Sequence, residues 1–72
     1  MKLHNQFKET IDTHYHLYEL ITNDDIYVEK ITECGNVYLV HNHKTNQTYP
    51  KGKFYKTLGM AMRKAISLNR EE

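Results

Sequence analysis

The 72-residue sequence contains one cysteine, one proline, three glycines and no tryptophan. A lone Cys34 excludes an intrachain disulfide. Three scattered glycines leave no Gly-rich loop of the kind that cradles a phosphate. No apolar run approaches the roughly 20 residues that span a bilayer, and residues 1–10 are too polar for the apolar core of a secretory leader. A cytoplasmic location without a membrane partner is therefore expected. In that setting the glycosylation triplet Asn46-Gln47-Thr48 has no route to modification. Alanine and arginine are sparse beside lysine, asparagine, isoleucine, threonine and tyrosine. That bias belongs to an AT-rich coding sequence, common in low-GC bacteria and in their phages and mobile elements.

A chain of this length is expected to form a single domain over residues 1–72. Such a domain buries only roughly 60% of the surface exposed by its unfolded chain. Without a disulfide, a core this small gains from self-association or from a partner. The net charge of +1 conceals two opposed halves. Residues 1–36 hold three lysines against seven carboxylates, net −4, and residues 37–72 hold seven lysines and arginines against two, net +5. Segregation of this kind acts on association, through steering of a partner or docking of a second copy.

Leu3, Phe7, Ile11, Tyr15, Tyr18 and Ile21 recur at intervals of three and four, the stripe of an amphipathic helix over residues 3–22. A shorter helix followed by a strand at residues 15–21 is the alternative, because the tract is also rich in His, Tyr and Thr. Asn23-Asp24-Asp25 reads as a turn. Two strand-like runs, residues 26–33 and 37–43, flank Gly35-Asn36 as a hairpin. A two-residue loop there sets Cys34 against Val37, Thr32 against Leu39 and Lys30 against His41. That register places Ile26, Val28, Cys34, Val37 and Leu39 on one face, and Tyr27, Ile31, Tyr38 and Val40 on the other. A short strand near residues 47–49 is confined to a sheet edge by Pro50. Thr57 is a natural cap for a helix over residues 58–69, with Leu58, Ala61, Met62, Ala65 and Ile66 as its apolar stripe. The expected fold is α+β, in the order α-β-β-β-α, with a short antiparallel sheet packed on two helices.

That order resembles the topology of double-stranded RNA-binding domains over nearly the whole chain. Lys51-Gly52-Lys53 and Lys56 stand where that family carries a glycine loop and lysines before its last helix, while Leu58-Gly59-Met60 occupies the place of its basic run.

No motif carries a nameable chemistry, and no catalytic residue, metal site or cofactor is assigned. His14 with His16, and His41 with His43, share a face only on a strand, and positions 14 and 16 diverge on the expected helix. Cys34 beside Glu33 lies in an environment that raises a thiol pKa. Asp24 and Asp25 are adjacent acids in a polar turn, without a chain long enough to build a cleft around them. The expected function is a small non-catalytic regulator or inhibitor that docks on another protein through Tyr27, Ile31, Tyr38 and Val40, since aromatic patches anchor interfaces. The alternative is nucleic-acid binding through Lys51, Lys53, Tyr55, Lys56, Arg63 and Lys64, with lysines on phosphates and rings stacked on bases.

Overall fold

Asp12 decides the shape of the N-terminal third. Its carboxylate accepts hydrogen bonds from the Thr13 hydroxyl (3.0 Å) and the His14 N–H (3.4 Å), while its own N–H donates to the Tyr15 carbonyl (2.8 Å). Such a side-chain-to-backbone turn competes directly with helix. The computed structural model describes residues 3–33 and 35–71. In it the helix expected over residues 3–22 is replaced by a 3-10 turn at Leu3–Gln6 and two antiparallel strands, β1 (Phe7–Ile11) and β2 (His16–Leu20). The stripe that suggested a helix buries only in part: Phe7 and Tyr18 are in the core, whereas Ile11, Tyr15 and Ile21 are 70%, 42% and 65% exposed. β-branched and aromatic residues here fit a pleated surface better than a helical one.

Three further strands complete a five-stranded antiparallel meander in sequence order: β3 (Asn23–Ile31), β4 (Val37–Asn42) and β5 (Gln47–Tyr49). Asn23-Asp24-Asp25 opens β3 instead of forming a turn, and the β2–β3 reversal falls on Ile21 and Thr22. The β2–β3 ladder shifts register between Glu19 and Leu20, so that Leu20 pairs with Asn23. One α-helix follows, α1 (Leu58–Glu71). Thr57 caps it as expected, accepting from the Met60 N–H through its hydroxyl (3.3 Å) and from the Ala61 N–H through its carbonyl (3.3 Å). The architecture is therefore one helix on a five-stranded sheet, not two helices on three strands, and the order shared with double-stranded RNA-binding domains is absent.

The helix covers one face only. Ala61, Met62, Ala65 and Leu68 pack against Phe7, Tyr18, Leu20, Ile26, Val28 and Val40. Two alanines at the contact bring the helix close, and Ile26, Val28, Val40 and Met62 are fully buried, each contributing about 1.5–3 kcal/mol. The far end of α1 is tied to the β2–β3 reversal by polar bonds: Asn23 Nδ2 donates to Asn69 Oδ1 (3.0 Å), and Asn69 Nδ2 donates to Thr22 Oγ1 (3.4 Å). The radius of gyration, 11.2 Å, matches the about 11 Å of a single compact domain of this length.

The β3–β4 register differs from the expected one. Ile31 pairs with Val37, Lys30 with Tyr38, Glu29 with Leu39 and Val28 with Val40. The connection is five residues long, not two, and includes Gly35 (φ 84°) and Asn36 (φ 60°) in the left-handed region. An odd offset flips β4 relative to β3. Tyr38 and Val40 thus join Ile26 and Val28 on the helix side, while Val37 and Leu39 join Tyr27 and Ile31 on the opposite side. The pairing expected for Cys34 lies outside the described residues. Among those residues, no helix is long and apolar enough to cross a membrane.

The buried contact makes Met62→Ala cost about 2–5 kcal/mol, whereas Met60→Ala, at a position 49% exposed, changes stability by less than about 0.5 kcal/mol. Urea unfolding of the two variants checks the assignment.

Candidate functional site

The face of the sheet away from α1 has no covering layer among the described residues. Alternation along the strands sends Lys8 and Thr10 of β1, Leu17 and Glu19 of β2, Tyr27, Glu29 and Ile31 of β3, Val37, Leu39 and His41 of β4, and Thr48 of β5 to this side. Leu17, Tyr27, Ile31, Val37 and Leu39 are each half-buried. Together they form an apolar patch across the three central strands.

A polar line crosses that patch. His41 is the diagonal neighbour of Glu29, two residues beyond its direct partner Leu39. Its Nε2 lies 2.8 Å from Glu29 Oε1 and its Nδ1 lies 3.2 Å from Thr48 Oγ1. The Tyr27 ring stacks on the imidazole, with centroids 4.9 Å apart and planes at 24°. The ring of His41 is thus held at both nitrogens and on one face. Hydroxyl, imidazole and carboxylate stand in the order of a nucleophile relay, but on a sheet surface. Three open cavities flank the fold, and neither His41 nor Thr48 lines any of them. The arrangement is a restrained aromatic and polar centre on the open face of the sheet.

Tyr27 sits between two carboxylates, directly opposite Glu19 across β2–β3 and two residues from Glu29. Burial, then Glu29, then Glu19, raise its phenol above the usual value of 10.0. Lys8, opposite Glu19 at the outer strand, brings a cation to the rim of this face. The centre of the face is consequently acidic. It adjoins an open groove of about 420 Å³, between the β1–β2 turn and the end of β3, where Asp12, Glu29 and Glu33 outnumber Lys30.

A second histidine cluster repeats the pattern on the helix side of β1–β2. His16 Nε2 lies 2.5 Å from Glu9 Oε2, and its ring stacks on Tyr18 at 4.9 Å. Tyr18 is itself buried in the core, and its phenol is pushed up to about 12 by burial, by the charge of Glu9, by a hydrogen bond to Glu9 and by Tyr38. Among the described residues, no three His, Cys, Asp or Glu side chains are grouped to hold a metal ion.

The residues singled out from sequence separate. Tyr27 and Ile31 lie on the open face. Tyr38 is on the helix side, bridged to Tyr55 through reciprocal backbone bonds of 2.9 Å, and Val40 is fully buried beneath α1. Leu17, Val37, Leu39, Glu29 and His41 are the members of the open face that sequence reasoning missed. The signal that reveals them is the hairpin register. In the basic half, Lys51, Lys53, Lys56 and Arg63 are exposed. Lys64 instead lies over the Tyr49 ring at 4.9 Å, and Tyr55 packs against the core, where burial raises its phenol.

Comparison with protein-family models, with curated proteins and with solved structures finds no match to this chain.

The tyrosines make stability depend on alkali. The folded chain holds the Tyr18, Tyr27 and Tyr55 protons more tightly than the unfolded chain does. Their contribution is therefore complete below pH about 10 and is lost as pH rises through about 10 to 12. Phenolate absorbance, followed with and without denaturant, reads this directly. In the native protein Tyr18, Tyr27 and Tyr55 ionise above the pH at which they ionise in the unfolded chain, Tyr18 at about 12. Ionisation of Tyr18, Tyr27 and Tyr55 at the same pH with and without denaturant would contradict the placement.

Proposed function

We propose that this protein is a non-catalytic binding module that docks another protein on the open face of its sheet and thereby regulates or inhibits it. The observation that supports this reading is the uncovered layer: Leu17, Ile31, Val37 and Leu39, all half-buried, gathered around the stacked Tyr27–His41 pair, on a face that α1 does not reach. Apolar anchors within a polar surround are the usual make-up of an interface core.

The chemistry of the partner follows from the charge of the face. Glu19 and Glu29 flank the aromatic centre, and Glu33 and Asp12 continue the acidic character into the adjoining groove. Two copies meeting face to face would bring like charges together at the centre, which costs affinity. The fitting partner is a different protein that offers lysine or arginine among aliphatic side chains.

A second reading has one observation in its favour. Phe54 is 45% exposed between the exposed lysines 53 and 56, so a ring and cations share one loop, as on single-stranded nucleic-acid surfaces.

Retention of partners from lysate by tagged wild-type protein and two variants, with nuclease and at two salt concentrations, separates the readings. A protein retained after nuclease treatment and weakened at least about tenfold by Tyr27→Ala with Leu39→Ala, but unaffected by Lys51→Glu with Lys53→Glu, is the expected result. Retention that survives the face variant would overturn the docking reading. Nucleic acid that is lost with the lysine variant and on raising salt would put the second reading in its place.

A further inference from the structure

The two edges of the sheet are built differently. At one edge β5 is three residues long, ends at Pro50, and gives way to Tyr55, whose backbone closes on Tyr38. Short strands, proline and a covering segment are among the devices that stop a sheet from growing, as are charged side chains such as Lys8 and Glu9 of β1, which block pairing only where like charges meet. At the other edge β1 has no proline and no bulge, no described strand covers it, and it ends in Ile11, 70% exposed.

The outward backbone groups of β1 follow from its pairing with β2. Gln6 accepts from Ile21, and Asp12 donates to Tyr15, so the even-numbered residues direct their N–H and C=O inward. Alternation then turns those of Phe7, Glu9 and Ile11 outward, available to another strand. Two copies of β1 related by a two-fold axis perpendicular to the sheet pair antiparallel with the faces preserved. Three registers are centred on the interior residues of the strand. Pairing centred on Lys8 opposes two lysines, and pairing centred on Glu9 opposes two carboxylates. Pairing centred on Thr10 sets Thr10 against Thr10, Lys8 against Asp12 twice, and Glu9 against the exposed Ile11 twice. Lys8 has no ion pair among the described residues, and Asp12 uses Oδ1 to hold its turn, leaving Oδ2 for a cation.

We infer that the protein self-associates through β1 in this Thr10-centred register, forming a continuous ten-stranded sheet. Each copy supplies the Glu9 and Ile11 N–H and C=O groups, and Lys8 of each meets Asp12 of the other. Both helices then lie on one side, and both open faces lie on the other, so the pairing leaves the docking surface free and is independent of it.

Sedimentation equilibrium and amide exchange test the pairing. At about 0.5 mM, a concentration that populates a small interface, the expected result is a mass of two chains with slow exchange at the Glu9 and Ile11 amides. Lys8→Asp and Asp12→Lys each place like charges opposite, and each reduces self-association at least about tenfold. Mixed in equal amounts, the two variants regain the two-chain mass, because each contact across the axis then joins a carboxylate of one variant to a lysine of the other. A one-chain mass for the wild type overturns the inference. So does a two-chain mass with Glu9 and Ile11 amides exchanging at the free rate, or one that Lys8→Asp leaves intact. The amide measurement uses the unmodified chain, so it decides even where Asp12→Lys weakens the turn.

Discussion

One helix lies against one side of a five-stranded sheet, and that imbalance governs the rest of the molecule. Ala61, Met62, Ala65 and Leu68 bury the faces of β3 and β4 that carry Ile26, Val28 and Val40. The polar clamp from Asn69 to Thr22 and Asn23 fixes the helix end over the β2–β3 reversal. In a chain of 72 residues, no second described element covers the other side. The same alternation that fills the core must therefore set Leu17, Tyr27, Ile31, Val37 and Leu39 on a surface facing outward.

On that surface, polar groups do more than solubilise. Glu29 and Thr48 hold the two nitrogens of His41, and Tyr27 covers its ring. A side chain restrained in this way loses little freedom when a partner covers it, which is how a small patch gains affinity. The segregation of charge along the sequence also becomes spatial. Glu19 of β2 and Glu29 of β3 lie on the open face, with Asp12 and Glu33 in its adjoining groove, whereas the exposed lysines of residues 51–56 precede α1.

What the sequence revealed followed the strength of local signals. Thr57 and the stripe from Leu58 to Ile66 mark α1, because cap and periodicity agree. The first 22 residues misled, because spacings of three and four between Leu3 and Ile21 fit a helix as well as they fit two short strands broken by Asp12. Propensity, which depends on tertiary context, and the Asx turn, a local hydrogen-bonding choice at Asp12, decided in favour of strands, and spacing alone weighs neither. The candidate surface was half legible. Tyr27 and Ile31 belong to it, while Tyr38 and Val40 would join it only with a two-residue loop at Gly35-Asn36. An odd change in register moves every side chain of a strand to the other face, and a five-residue connection leaves no composition signal strong enough to distinguish it.

The most direct test of the two-sided sheet is methyl-resolved NMR with a soluble paramagnetic cosolute. The structure predicts strong broadening at Leu17, Ile31, Val37 and Leu39 and little at Ile26, Val28 and Val40. Equal shelter of Val37 and Val40, or broadening at Val40 with Leu39 protected, would show that the open face is in fact covered or that the register is reversed, and would contradict the account.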